Sequence, residues 1–229
     1  PQHQLNNLHH QIRLKPEQLA AYHRDGFLLV DDVFPQAELD TINREIERLR
    51  TEKSNDGTNQ NDVILRLGLK SDLTRQICRD ERIVTLIEDL VRPGIAIYSA
   101  KLFEKRPNDE TICHWHQDDA YYRENSECGC RMSAWIPLQD CDKENGCVWV
   151  LPGSHKQGLK PANNIGAETG HCDLAFAQGT TELEGAVSVP MKAGSVLLFH
   201  ALLGHRSLGN HTAHPRRAFI ISYQDALTN

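Results

Sequence analysis

A mainly β fold behind an N-terminal layer of α-helices is what this sequence predicts, and three observations predict it. Helical apolar spacing is confined to the chain before residue 92. After residue 94 the pattern changes to short apolar or alternating runs punctuated by Gly and Pro. The 229 residues, 39% of them hydrophobic, suffice for one domain, 1–229, with a sizeable core.

The first helix is expected over 15–25, with Pro16 in its first turn and Gly26 as its stop. Phe27-Leu28-Leu29-Val30 reads as a strand. Leu39, Ile42, Ile46 and Leu49 recur at helical spacing, so 35–50 is a second helix. Residues 51–62 form a polar loop, and 81–91 a third helix ended by Arg92-Pro93-Gly94. The helical part therefore covers about 15–92 and the β core about 94–225. Eight strands are predicted there, at 95–104, 112–118, 131–138, 147–151, 185–190, 195–200, 202–206 and 216–224. That number of short strands suggests a sandwich or jelly roll. Residues 156–184 are a long, weakly periodic insertion of the kind that serves as a lid.

Charge and composition exclude several function classes. With 31 acidic and 25 basic side chains the formal charge is -6, which gives no basic surface for nucleic acid. No apolar run reaches the roughly 20 residues that a membrane helix needs. The first residues lack an apolar signal region, and Leu227-Thr228-Asn229 is not a peroxisomal address. A cytoplasmic protein is expected. The seven cysteines are odd in number, and Cys128, Cys130, Cys141 and Cys147 lack zinc-site spacing. Free, partly buried thiols are expected.

The densest chemistry lies in CHWHQDDAYY, residues 113–122. On a strand, His114, His116 and Asp118 would share one face. A His and a carboxylate two residues apart can reach one metal. A second metal-capable cluster follows in AGSVLLFHALLGHRSLGN, where His205 ends an apolar strand and His200 competes with it. His114 likewise competes with His116. Two imidazoles and one carboxylate leave coordination positions open, an arrangement that favours iron(II) in oxygenases. Arg216 and Arg217 open the last strand, and a guanidinium fork suits a carboxylate.

The chain resembles the phytanoyl-CoA dioxygenase family of Fe(II)/2-oxoglutarate oxygenases from AAYHRDGFLLVDDVF to its final strand. The family's iron motif appears as His116-Gln117-Asp118. Residues 144–161 and 193–219 match two further family segments. In the second, the distal ligand falls on His205 rather than His200, and the 2-oxoglutarate arginine on Arg216. The resemblance implies a double-stranded β-helix, a jelly-roll variant. It implies Fe(II) on His116, Asp118 and His205, with 2-oxoglutarate and O2 as co-substrates. Further co-substrate contacts are implied for Ser207, Trp135 and Lys101. The implied reaction is hydroxylation of a C–H bond with release of succinate and CO2. Asp118 fits hydroxylation, because related halogenases carry a small residue there.

Asp119, Tyr121, Tyr122 and Arg123 follow the motif and are expected to line the substrate site. Nothing in the chain marks a CoA-binding region, so a small-molecule substrate is expected. Two other readings compete. A cupin-type metal protein would use His114-Trp115-His116 but needs a Glu a few residues later, and none is present. A non-catalytic metabolite-binding module would have no need of all three ligands.

Overall fold

The computed structural model describes residues 12–52, 62–91, 94–122, 131–166, 172–177 and 183–227. The chain starts with helix α1 (Pro16–Asp25) and strand β1 (Phe27–Val30). Pro16 sits in the first turn of α1, and Gly26 ends the helix with φ 84° while its N–H donates to Tyr22 O. A Cβ at Gly26 would lie 2.4 Å from His155 Nδ1, so the stop requires glycine twice over. Helix α2 (Gln36–Thr51) buries Leu39, Ile42, Ile46 and Leu49, the stripe its spacing predicts. Most of the expected polar loop, 53–61, lies outside the described residues.

Two elements then appear that the periodicity did not give. They are strand β2 (Val63–Leu65) and helix α3 (Asp72–Cys78), the latter started by a Ser71 side chain that accepts from Thr74 N. Helix α4 (Glu81–Leu90) follows, capped by Asp80. Buried Arg82 in α4 bridges Asp80 and Glu38 and donates to Val33 O, tying α4 to α2.

All eight predicted strands of the β part are present. They are β3 (Ile95–Lys105), β4 (Cys113–His116), β5 (Met132–Pro137), β6 (Val148–Val150), β9 (Val187–Val189), β10 (Val196–His200), β11 (His205–Ser207) and β12 (Arg216–Asp225). A short extra hairpin, β7 (Ala162–Asn164) with β8 (Leu174–Phe176), lies inside the predicted insertion. The six-stranded sheet runs β1-β10-β5-β12-β3-β2, and the four-stranded sheet β4-β11-β6-β9, each with antiparallel pairing. Together they make the jelly roll expected from sequence, a mainly β fold.

Alternation along β12 sorts two cores. Phe219, Ile221 and Tyr223 face the helices and pack with Leu39, Ile46, Ile83 and Leu86. Ala218 and Ile220 face the other sheet and pack with Phe103, Trp135, Phe199, Val148 and Val150. The space between the sheets is where the chemistry-bearing side chains converge.

Candidate metal centre and co-substrate pocket

His116 ends β4, and His205, which begins β11, is its direct cross-strand partner. The strand expected to reach residue 118 stops at His116, and Asp118 opens a short 3-10 turn, Asp118–Tyr122. The one-face expectation for His114, His116 and Asp118 fails for His114, which is exposed. A β-bulge explains it. His116 pairs with His205 and Cys113 with Ser207, so three steps on β4 match two on β11. The extra residue flips the alternation, and Cys113 and His116 both face the cavity.

His116, Asp118 and His205 are buried, and their ligand atoms lie within 4.8 Å of one another. Asp118 Oδ1 is 3.5 Å from His205 Nε2 and 3.8 Å from His116 Nε2. Each group is braced from behind. His116 Nδ1 lies 2.7 Å from His114 O, and His205 Nδ1 lies 2.9 Å from Leu203 O. With Nδ1 donating to a carbonyl, each ring turns an Nε2 lone pair toward the other two groups. Ser133 Oγ donates to Asp118 Oδ2 at 3.0 Å. Burial and the nearby His205 push His116 down to about 3, so its imidazole is neutral, the form that binds a metal. Asp118 is held below the usual carboxylate range, its burial outweighed by His205 and Lys101. The donor set and its orientation fit a divalent iron with open positions.

His200, the competing distal ligand, instead accepts Leu202 N through Nδ1 and lies beside His155. Gln117 points away from the metal cluster. Its amide donates to Gly158 O and Leu202 O and accepts from Lys160 N, tying the motif to two loops.

One cavity of about 310 Å³ joins this cluster to Arg216, Ser207, Trp135 and Lys101. Arg216 is 1% exposed, and its Nε and Nη1 have no hydrogen-bond partner. Its guanidinium lies 5.3 Å from the Phe103 ring and 5.5 Å from the Trp135 ring. Burial pulls its pKa down, which marks a cation awaiting an anion. That orphaned fork fits the far carboxylate of 2-oxoglutarate. Arg217, on the opposite face of β12, pairs with Glu104 and Glu47 and has no part in the cavity. Behind Arg216, its cross-strand partner Lys105 is fully buried and donates to Thr111 O. Burial, with Arg216 beside it, lowers Lys105 to about 7.

The expected substrate residues divide. Tyr121 and Tyr122 line the cavity. Asp119 is instead taken up by a 2.8 Å ion pair with buried Arg131, so it braces the turn. Arg123 lies outside the described residues. Sequence reasoning did not single out Ser133, Phe103, Phe199, Ile220 or Arg206. The last four line the cavity, and Ser133 reaches Asp118 from β5.

The free-thiol expectation needs correction. Cys113 and Cys172 are joined in a disulfide across 59 residues, and both line the cavity. The bulge that turns Cys113 inward makes the bond reachable. Cys78, Cys141 and Cys147 are free and buried as expected, while Cys128 and Cys130 lie outside the described residues. No described helix is long and apolar enough to cross a membrane.

Comparison with known proteins agrees with this geometry. The family model for phytanoyl-CoA dioxygenase (PhyH) matches residues 22–218. Ectoine dioxygenase of Bordetella parapertussis is 26% identical over 231 residues, covering 92% of this chain and 75% of that one. Human peroxisomal phytanoyl-CoA dioxygenase is 26% identical over 230 residues, covering 92% and 68%. A crystal structure of EctD from S. alaskensis in its apoform superposes with a TM-score of 0.75 at 23% identity, covering 93% and 77%, and speaks to the fold. The chain belongs to the phytanoyl-CoA dioxygenase family.

Proposed function

We propose that this chain is an Fe(II)- and 2-oxoglutarate-dependent dioxygenase that hydroxylates an unactivated C–H bond of a small molecule. The observation that carries this reading is a buried Arg216 without a partner in the same cavity as a braced His116, Asp118 and His205 cluster. A bare metal-binding cupin has no use for the first, and a pure metabolite binder has no use for the second.

His116, Asp118 and His205 would hold the iron, and Arg216 the far carboxylate of the co-substrate. Ser207 and Trp135 would flank that co-substrate from β11 and β5. Iron with 2-oxoglutarate and O2 supplies the oxidising power, consuming 2-oxoglutarate to succinate and CO2. The protein positions and excludes water. Phe103, Trp135, Phe199 and Ile220 give the cavity apolar walls, which strengthens the Arg216 ion pair. Tyr121 and Tyr122 would shape the substrate's side of the cavity.

The relatives are named for ectoine and for phytanoyl-CoA, one small compound and one large. A 310 Å³ cavity lies at the small end of the ligand-site range of about 300–1,000 Å³. It supports a small substrate. We place the protein in the cytoplasm.

The test is direct. Purified protein with Fe(II) and 2-oxoglutarate should show a weak visible charge-transfer band under anaerobic conditions and form succinate in air. His116→Ala should lose both. Wild type giving neither signal ends the proposal.

A further inference from the structure

Besides Arg216 and Arg206, the cavity is lined by a cation that the metal and 2-oxoglutarate do not account for. Lys101 lies on β3 and lines the cavity. Among the described residues its side chain has no hydrogen bond and no ion pair. It acts on Asp118, His116 and Tyr122 only through space.

Register places it. Arg216 pairs with Lys105, four residues along β3 from Lys101. At about 3.3 Å per residue the two rungs are about 13 Å apart along the strand. Lys101 pairs with Ile220, one inward step from the Ser222–Ser99 rung. Ser222 pairs with Ser133, the residue bonded to Asp118. Lys101 is therefore at the metal end and Arg216 at the far end. The two ends also differ in exposure. Arg216 is 1% exposed, whereas Leu65, the cross-strand neighbour of Lys101, is 37% exposed and Tyr121 38%. Lys101 sits at the mouth, where a substrate enters, and Arg216 at the closed bottom.

Charge gives the same answer. Among the described residues Asp118 is the only acidic side chain on the cavity wall, against Lys101, Arg206 and Arg216. Iron(II), Lys101, Arg206 and Arg216 would bring five positive charges, while Asp118 and the 2-oxoglutarate dianion would bring three negative ones. Of the two positive charges that remain, Arg206 is set against the Trp115 and Trp149 rings, and Lys101 lies at the mouth, in a low-dielectric cavity where it favours an anion.

We infer that Lys101 anchors an anionic group of the substrate, so that the enzyme's substrate is a small organic anion rather than a neutral compound. This rests on the dioxygenase reading above and extends it. The ammonium would hold the anionic end at the rim and direct the opposite, C–H-bearing end toward the metal. It is a specificity-determining residue distinct from the Arg216 co-substrate anchor.

The experiment uses the full chain with Fe(II) and 2-oxoglutarate under anaerobic conditions. Probes are aliphatic and aromatic carboxylic acids and their primary amides, matched in shape but uncharged. The readouts are the shift of the visible band and the thermal midpoint. Wild type should bind its best acid about tenfold more tightly than the matching amide. Lys101→Met should lose that preference, and Lys101→Arg should keep most of it. Because the family resemblance gives Lys101 to the co-substrate, 2-oxoglutarate affinity is measured for both variants; the inference expects the larger loss in the preference for acid over amide, not in 2-oxoglutarate binding. The inference is overturned if Lys101→Met loses 2-oxoglutarate as severely as Arg216→Met does. It is also overturned if wild type prefers amides, or responds to no acid, while its band is intact. Absence of the band in wild type would instead overturn the dioxygenase reading itself.

Discussion

The two ends of the cavity hold charge in opposite ways. At the metal end every polar atom behind the ligands is satisfied: His114 O and Leu203 O take the imidazoles, and Ser133 takes the carboxylate. At the closed end Arg216 is buried with two nitrogens unpaired, and a second buried cation, Lys105, stands beside it. The first end is organised before anything binds. The second carries an unfavourable desolvation that a dianion would relieve. Stability and function should therefore separate at the closed end and stay coupled at the metal end.

The sharpest way to break that contrast is Arg216→Met. It should weaken 2-oxoglutarate binding about 100-fold, the loss of a charge-assisted bidentate contact worth about 3 kcal/mol. The same change should leave the free protein as stable as wild type, or more stable by about 1–3 kcal/mol. Titration of the charge-transfer band and urea unfolding measure the two. A strongly destabilised variant would mean that Arg216 has structural partners after all.

At the metal end Ser133→Ala should act through the metal. Removing a group that orients a ligand should cost about tenfold in Fe(II) affinity, read by metal titration. Unchanged affinity would show that Asp118 needs no support from β5.

A third effect concerns Lys105, beside Arg216 at the closed end, and it is spread over several pH units. Its folded value of about 7 lies below its ordinary 10.5, so the native chain gives up this proton before the unfolded chain does. The stability this contributes is complete above the ordinary value and is lost as pH falls through about 7. Wild type should gain stability between about pH 7 and pH 10 at up to about 1.4 kcal/mol per unit. Lys105→Met should lack this contribution, and unfolding at two pH values would show parallel slopes if Lys105 is not the group responsible.

Much of this architecture was legible in the sequence because the long elements are periodic. The stripe of α2 and the alternation of β3 and β12 survive any local detail. Helix α3 was not legible, since Asp72–Cys78 is two turns and its signal is one cap. The hairpin β7–β8 is similarly short. The proposed metal ligands were legible as a motif, but the choice between His116 and His114 came from the family resemblance. Spacing alone did not choose between Arg216 and Arg217; the family resemblance pointed to Arg216, and the phase of β12 against β3 and β5 gives the physical reason. Ser133, fifteen residues from Asp118, and Lys101 as a lone cation are products of tertiary register. The Cys113–Cys172 bond was hidden for the same reason.

The single surplus residue in β4 reaches further than its size suggests. Cys113 and His116 are three positions apart, an odd spacing that regular alternation would send to opposite faces. If the bulge were ironed out at constant length, one of the two would leave the cavity, and either the imidazole or the sulfur would lose its place there. The irregular pairing of this stretch, and not its side chains alone, therefore sets what it can present to the interior.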